Sequence, residues 1–466
     1  MQINILRIFC GLLQASLVGS VLAAEAAPPS SQPQTVDLTP RLSSGDVAQV
    51  TAKLEVGGEV LVTDDAGEEK PLPMSVVAEL AYTEQFVLWS ADVDARLASL
   101  RRYDRADATL KVGDQGEDRS LPAERRDLVA VAVGELQLVN RPGAVVPLTR
   151  AQLDLVDLPA NTLVLDRLMP GGTMTIGDNW AHDALTMAAL LGLDRVGACE
   201  VHSAAVGVER DQVQIRMAGT VNGTADGAAT ELEVRGAYLF HLKQGRITKF
   251  NLAVQEKRKA GEISPGLDVT AKLTLVVKPV DANQAPFDAE AVAEAADAEP
   301  TALARLAVDD PRRGFRFQHG SEWFVTGEQP QLLSLRLWRR GELLAHCNVT
   351  TLPGRSEKHP TTIAELEADV KTALGKKIES ISAAEEWIAP NGNRCLAVFA
   401  NGKVDEAPIQ WRYYLITAPG RPQASVAVTV EQDRLEAFDN ADRELIDTLE
   451  FVGDEPATAA KTQAIR

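Results

Sequence analysis

The sequence predicts an α+β protein of two domains. The first is a curved antiparallel β-sheet, half-barrel-like, with short helices. The second is a sheet flanked by helices. Three observations predict this. Residues 47–56 alternate apolar and polar side chains with a period of two, the mark of a half-buried strand. Residues 201–278 are a succession of such segments separated by turn dipeptides. Residues 362–375 instead carry Ile363, Leu366, Val370 and Leu374 at spacings of three and four, stop at Gly375, and lie between β-rich stretches.

The 466 residues leave room for two or three domains at roughly 150 residues each. The chain opens with Arg7, an apolar run over residues 8–21, and the small-residue step Val21-Leu22-Ala23. That is the pattern of a signal peptide over residues 1–23, cut near Ala23, and it predicts a secreted or periplasmic protein. Residues 24–42, rich in Ala, Pro, Ser and Gln, read as a disordered leader. In the first domain, residues 43–279, strands are expected at 47–56, 60–62 and 74–82, with turns at Gly57-Gly58 and Asp64-Asp65-Ala66-Gly67. Residues 91–108 read as a helix, because Leu97, Leu100 and Tyr103 fall at helical spacing among Arg, Ala and Asp. Strand signals return at 128–138, and short helices are expected within 149–158 and 179–191. From residue 201 the hairpins turn at Asn222-Gly223, Asp226-Gly227 and Gln244-Gly245.

Residues 280–308 are acidic, Ala/Pro-rich and poor in aliphatic bulk, and are expected as the interdomain linker. In the second domain, residues 309–453, Phe315-Arg316-Phe317 and Trp323-Phe324-Val325 are expected as a strand pair. Strands at 333–338 and 343–351 should flank a turn at Arg340-Gly341. After the helix at 362–375 come strands at 395–400, 409–417 and 425–430, a helix over 435–448, and a closing strand at 449–452. Residues 454–466 read as a disordered tail.

Composition narrows the chemistry. Hydrophobic residues at 45% and charged residues at 24% are those of an ordinary soluble globular protein. A net charge of −19 repels nucleic acid and anionic lipid headgroups. Beyond the signal, no apolar run is long enough for a transmembrane helix. Aromatic residues at 5% speak against a glycosidase that stacks sugars.

Resemblance adds to this reading. An opening aromatic strand ends in Gly320-Ser321-Glu322-Trp323, Trp411-Arg412-Tyr413-Tyr414-Leu415 lies on a central strand, and a C-terminal helix precedes Leu449-Glu450-Phe451-Val452. By these features about 140 residues of the second domain resemble the Mog1/PsbP-like α/β/α sandwich. The resemblance implies a binding or assembly module without catalytic residues. In the first domain, Ile176-Gly177-Asp178-Asn179-Trp180, Leu163-Val164-Leu165-Asp166-Arg167-Leu168 and Gln255-Glu256-Lys257-Arg258 resemble uncharacterised secreted proteins of planctomycete bacteria. That likeness implies a lineage and a secreted location, and no activity.

Candidate sites are few. Alternation puts Cys347 on a core face and His346 on the opposite one, so the adjacent pair cannot act as a thiol protease. Cys395 follows the same core pattern. A Cys347–Cys395 disulfide is open in an oxidising compartment, against the alternative of free buried thiols. The six histidines lack zinc-ligand spacing, and no CxxC, P-loop, GxGxxG or GxSxG occurs, so no metal and no cofactor is expected. Gly177-Asp178-Asn179-Trp180 reads as a turn and helix cap with Trp180 packed beneath, the alternative being a ligand-facing Trp180 with His182. Lys257 and Arg258 belong to a local cationic spot that reads as a solvated strand end, the alternative being a site for an anion. Trp411 and Tyr413, with Tyr414, read as core and edge packing, the alternative being a partner-binding aromatic stripe. The sequence therefore predicts a non-enzymatic binding or assembly protein whose partner is an unknown protein or an apolar small molecule. Its rivals are a lipid or apolar-ligand carrier using the half-barrel, and a hydrolase with paired carboxylates that the sequence does not locate.

Overall fold

The computed structural model describes residues 34–63, 69–92, 94–133, 136–140, 147–339, 341–355 and 359–452. The expected signal peptide, the tail over 454–466, the turn at Asp64-Asp65-Ala66-Gly67 and Arg340 lie outside these residues. The chain divides into two compact units. Strands dominate both, so the protein is mainly β rather than α+β.

The larger unit contains strands β1 (Thr35–Asp37), β2 (Val47–Thr63), β3 (Glu69–Leu88), β4 (Leu97–Val112), β5 (Gln115–Ser120), β6 (Asp127–Val133) and β7 (Leu136–Asn140). Beyond the short helices α1 (Arg150–Val156) and α2 (Thr162–Leu165) come β8 (Thr173–Thr175), β9 (Asn179–Ala181) and α3 (Ala184–Leu191). Four hairpin-linked strands follow: β10 (Arg195–Glu209), β11 (Gln212–Ala225), β12 (Ala228–His241) and β13 (Arg246–Arg258). They are followed by β14 (Gly266–Val280) and by α4 (Ala289–Asp297) and α5 (Pro300–Leu303). Twelve strands form one open antiparallel sheet in the order β7-β6-β4-β3-β2-β14-β13-β12-β11-β10-β9, with β5 on β4. Its curvature follows from the contacts. Helix α2 touches β4 and β6 near one end, α3 touches β10 near the other, and α2 touches α3. In a flat sheet β6 and β10 would stand about 38 Å apart at 4.8 Å per strand. The sheet must wrap around the helix pair.

Several expectations are corrected here. Residues 97–112 are strand β4, not a helix. Helix α4 packs on β3 and β4, and residues 97–101 are all buried, which erases the alternation that marks a strand. Gly57-Gly58 lies inside β2, where a Cβ on Gly58 would meet Asp268 O at 2.5 Å. Asn222-Gly223 lies inside β11, where a Cβ on Gly223 would meet Arg195 O at 2.3 Å. Both glycines serve close backbone approach within the sheet rather than a turn. Within the stretch expected as a disordered leader, β1 pairs with β8, and Leu38 and Leu42 are buried. The linker stretch holds α4 and α5, with Ala295 and Leu303 buried in the larger unit.

The smaller unit comprises residues 304–452 of the described chain together with residues 147–150, where Leu148 O accepts a hydrogen bond from Ala307 N at 2.9 Å. Its strands are β15 (Arg305–Asp310), β16 (Phe315–Gly320), β17 (Trp323–Gln329), β18 (Leu332–Arg339) and β19 (Glu342–Leu352), then helix α6 (Ile363–Leu374). There follow β20 (Ile378–Ile388), β21 (Arg394–Val404), β22 (Ala407–Thr417), β23 (Gln423–Glu431), helices α7 (Leu435–Phe438) and α8 (Arg443–Thr448), and β24 (Glu450–Phe451). Seven strands pair antiparallel in the order β17-β18-β19-β23-β22-β21-β20, while β15, β16 and β24 form a separate sheet. The expected pairing of Phe315–Phe317 with Trp323–Val325 is thus wrong, and residues 450–451 close the small sheet, not the large one.

One face of the seven-stranded sheet carries Leu335, Cys347, Tyr414 and Val428. It packs on Phe315 and Phe317 of the small sheet and on Phe438, Leu445 and Ile446 of α7 and α8. The other face carries α6, whose Val370 and Leu374 cover Val398, Ala400, Ile409 and Trp411. Thr362 and Glu365 form a reciprocal capping box at the start of α6. The layers are therefore one helix, a sheet, and a mixed layer of strands and short helices, which corrects the expected α/β/α sandwich.

Candidate functional site

Most candidates from the sequence are structural. Trp180 lies on β9, half-buried, and its Nε1 donates to Leu168 O at 2.9 Å. The ring of His182 stands edge-on to it at 6.4 Å. His182 Nε2 is 2.7 Å from Ser203 Oγ, to which Tyr238 donates at 2.8 Å. All three polar side chains are buried, and burial pushes His182 down to about 4. The cluster is closed to a substrate. The cap of α3 is Asp183, whose side chain accepts from Thr186 N, while Asp178 accepts from Thr175 N and fixes the preceding turn. This moves the helix cap away from Asp178 and Asn179.

Lys257 is exposed and 3.7 Å from Asp268. Arg258 is buried and lies 2.7 Å from Glu256 and 3.1 Å from Asp226. Two carboxylates already hold its charge, so the pair is not an anion site. Beside Arg258, a pocket that also borders Leu191 and Leu232 holds about 20 Å³, room for little more than a water molecule. A second buried network ties α2 to the sheet. Arg101 Nε meets Glu84 at 2.8 Å, and its guanidinium also donates to Asn161 and to Thr162 Oγ1. Burial pushes Asp166 up to about 6, against the pull of Arg246 and the Ile247 N–H. The charge of Glu84 raises Asp166 further, but both carboxylates are at most 1% exposed and closed to a substrate.

Cys347 and Cys395 are free thiols in one buried core, which corrects the candidate disulfide. Burial pushes both thiols up, Cys395 to about 12, so neither is a nucleophile. His346 is exposed on the opposite face of β19, as alternation requires. Among the described residues no group of three His, Cys, Asp or Glu is placed to hold a metal ion, and no helix is long and apolar enough to cross a membrane.

Trp411 and Tyr413 share one face of β22 but have different surroundings. Trp411 is buried beneath α6. Tyr413 emerges beyond the edge of the helix and lines a groove of about 500 Å³. One wall is α6, with Leu366, Asp369, Val370 and Ala373; the floor is Tyr413 and Leu415 of β22 with Gln423 and Ser425 of β23. The rim is Leu352-Pro353-Gly354-Arg355 and Thr361. The strand register aligns the floor, since Leu415 pairs with Ser425, and Gln423 pairs with Leu352. Leu352 is exposed at the rim, an apolar side chain left in water. Of these residues the sequence singled out Tyr413, and it placed Leu366 and Val370 on the apolar face of a helix. Gln423 carried no signal, because its role depends on which strand lies beside β22.

No family model matches this sequence, and no curated protein matches it. Among solved structures, cyanobacterial PsbP from Synechocystis sp. PCC 6803 is similar at 14% identity, over 33% of this chain and 95% of that one, with a TM-score of 0.25. The Ran-binding protein Mog1p of Saccharomyces cerevisiae is similar at 11% identity, over 32% and 95%, with a TM-score of 0.26.

Proposed function

We propose that this is a non-enzymatic binding protein of the periplasm or cell exterior that takes its ligand in the groove beside Tyr413. The groove carries the reading. Its volume of about 500 Å³ falls within the range of small-molecule sites, and apolar walls with a few polar groups are their usual lining. The nucleophile and carboxylate candidates support the same reading, since Ser203, Cys347, Cys395, Glu84 and Asp166 are all buried. The secreted location rests on the sequence pattern of residues 1–23. The half-barrel carrier loses ground, because α3 is buried from Thr186 to Leu191 in the hollow where a lipid would sit.

Native mass spectrometry of the protein purified gently from its own envelope fraction tests this. The wild type should carry a discrete mass excess that disappears on organic extraction. Ala373→Trp, placed at an exposed position on the groove wall, should come through clean. An excess that survives in Ala373→Trp would put the ligand elsewhere and overturn the assignment.

A further inference from the structure

We propose that the groove selects uncharged, mostly apolar molecules that present a carbonyl group, read by Gln423 and Tyr413. The inference rests on the binding reading above and names the ligand class. Leu352, Leu366, Val370, Ala373 and Leu415 supply apolar surface on both sides. A charged ligand would lose its hydration there without compensation. The groove's two charged lining residues are of opposite sign. Arg355 is 3.5 Å from Glu365, and Asp369 lies one turn along α6. Glu365 holds the charge of Arg355, and Asp369 leaves the surroundings of the groove net negative, which disfavours an anion.

The polar groups of the floor can all donate, as well as accept. Gln423 is 8% exposed and lines the floor of the groove. Its Nε2 is a donor that a ligand carbonyl would pair. Tyr413 adds a phenolic O–H from the neighbouring strand, and burial pushes its pKa up so that the proton stays on. Ser425 supplies a second hydroxyl on the same floor. Donors converging between apolar walls match an amide, ester or ketone better than a hydrocarbon or an anion.

Two fluorescent naphthalene probes test the class: uncharged 6-propionyl-2-(dimethylamino)naphthalene, which bears one ketone, and 1-anilinonaphthalene-8-sulfonate, an anion of similar size. The ketone probe should saturate one site and bind at least about tenfold more tightly than the sulfonate. Gln423→Leu and Tyr413→Phe should each weaken it about fivefold, the worth of one neutral hydrogen bond. Tyr413→Phe changes a half-buried side chain by one atom, so it remains informative should Gln423→Leu fail to fold. Ala373→Trp should abolish binding. Equal or tighter sulfonate binding, or full affinity in Tyr413→Phe, would overturn the ligand class while leaving a binding groove. No saturable binding of either probe, or affinity unchanged in Ala373→Trp, would overturn the groove itself.

Discussion

Both units pack helices against an antiparallel sheet, and they differ in how much space is left beside those helices. In the larger unit the sheet wraps until strands near both ends reach the same helix pair, and the pocket beside Arg258 holds about 20 Å³. In the smaller unit a single helix lies on seven strands, and about 500 Å³ stays open along its edge. Geometry explains the difference. Seven strands span about 29 Å across, and a helix with its side chains is about 10 Å wide. Helix α6 therefore covers little more than β20, β21 and β22. Beyond its edge the sheet face turns polar, with Ser334, Asn348, Thr350 and Ser425, and the groove runs along that seam. The large sheet reaches its helix pair from strands near both ends, whereas the smaller sheet, with a single helix on this face, keeps an open ledge beside it.

Breaking the larger unit's seal should have the largest effect. Arg101→Met leaves Glu84 charged, buried and without its cation. About 3–5 kcal/mol of stability should be lost, read as early hydrogen exchange in β3, β4 and α2 during denaturation. Loss of less than about 1 kcal/mol would mean that the network does not hold the filling in place.

The next effect depends on pH and has opposite signs in the two units. Asp166 sits at about 6 in the folded state, above the ordinary 3.8, so folding favours its protonated form. The stability it contributes is complete below pH 3.8 and is lost as pH rises through 6. His319 of the smaller unit is buried and sits at about 4, below the ordinary 6.5. Its contribution is complete above pH 6.5 and is lost as pH falls through 4. Relative to wild type, Asp166→Asn should gain stability on moving from pH 4 to 6.5, and His319→Gln should gain it in the reverse direction, each by at most about 3 kcal/mol. Urea titrations at the two pH values check the signs, and parallel curves would refute both assignments.

The smallest expected change sharpens the contrast at the groove. Thr362→Ala removes half of the capping box and should cost about 1 kcal/mol. The cost should appear as faster exchange in the first turn of α6 and a weaker groove, with the larger unit untouched. Slower exchange there would show that the cap does not set the position of the wall.

Much of the architecture was legible where one face of an element meets water. The alternation of β2, the hairpins from β10 to β14, and the three-and-four spacing of α6 all record a buried face and a solvated one. The signal faded where both faces are covered, as in β4 at residues 97–101, and where glycine serves close approach, as at Gly58 and Gly223. The sequence also missed β20, a half-exposed strand with the acidic pair Glu385-Glu386. The aromatic stripe was visible as a spacing, but Trp411 and Tyr413 look alike in sequence. Only the edge of α6 separates the buried one from the one that lines a groove.

By itself, the sequence determined the local periods, the main helix with its cap and stop, the inertness of Cys347 beside His346, and the lack of any compact metal or nucleotide motif. These are short-range matters, fixed by which side chains share a face within a few residues. Tertiary structure alone decided that Arg258 is neutralised by Asp226 from 32 positions away, that the hollow of the large sheet is filled, and that Gln423 joins Tyr413 and Ala373 around one groove. Each of these depends on strand order and helix width, which bring together residues whose separation along the chain carries no record of the encounter.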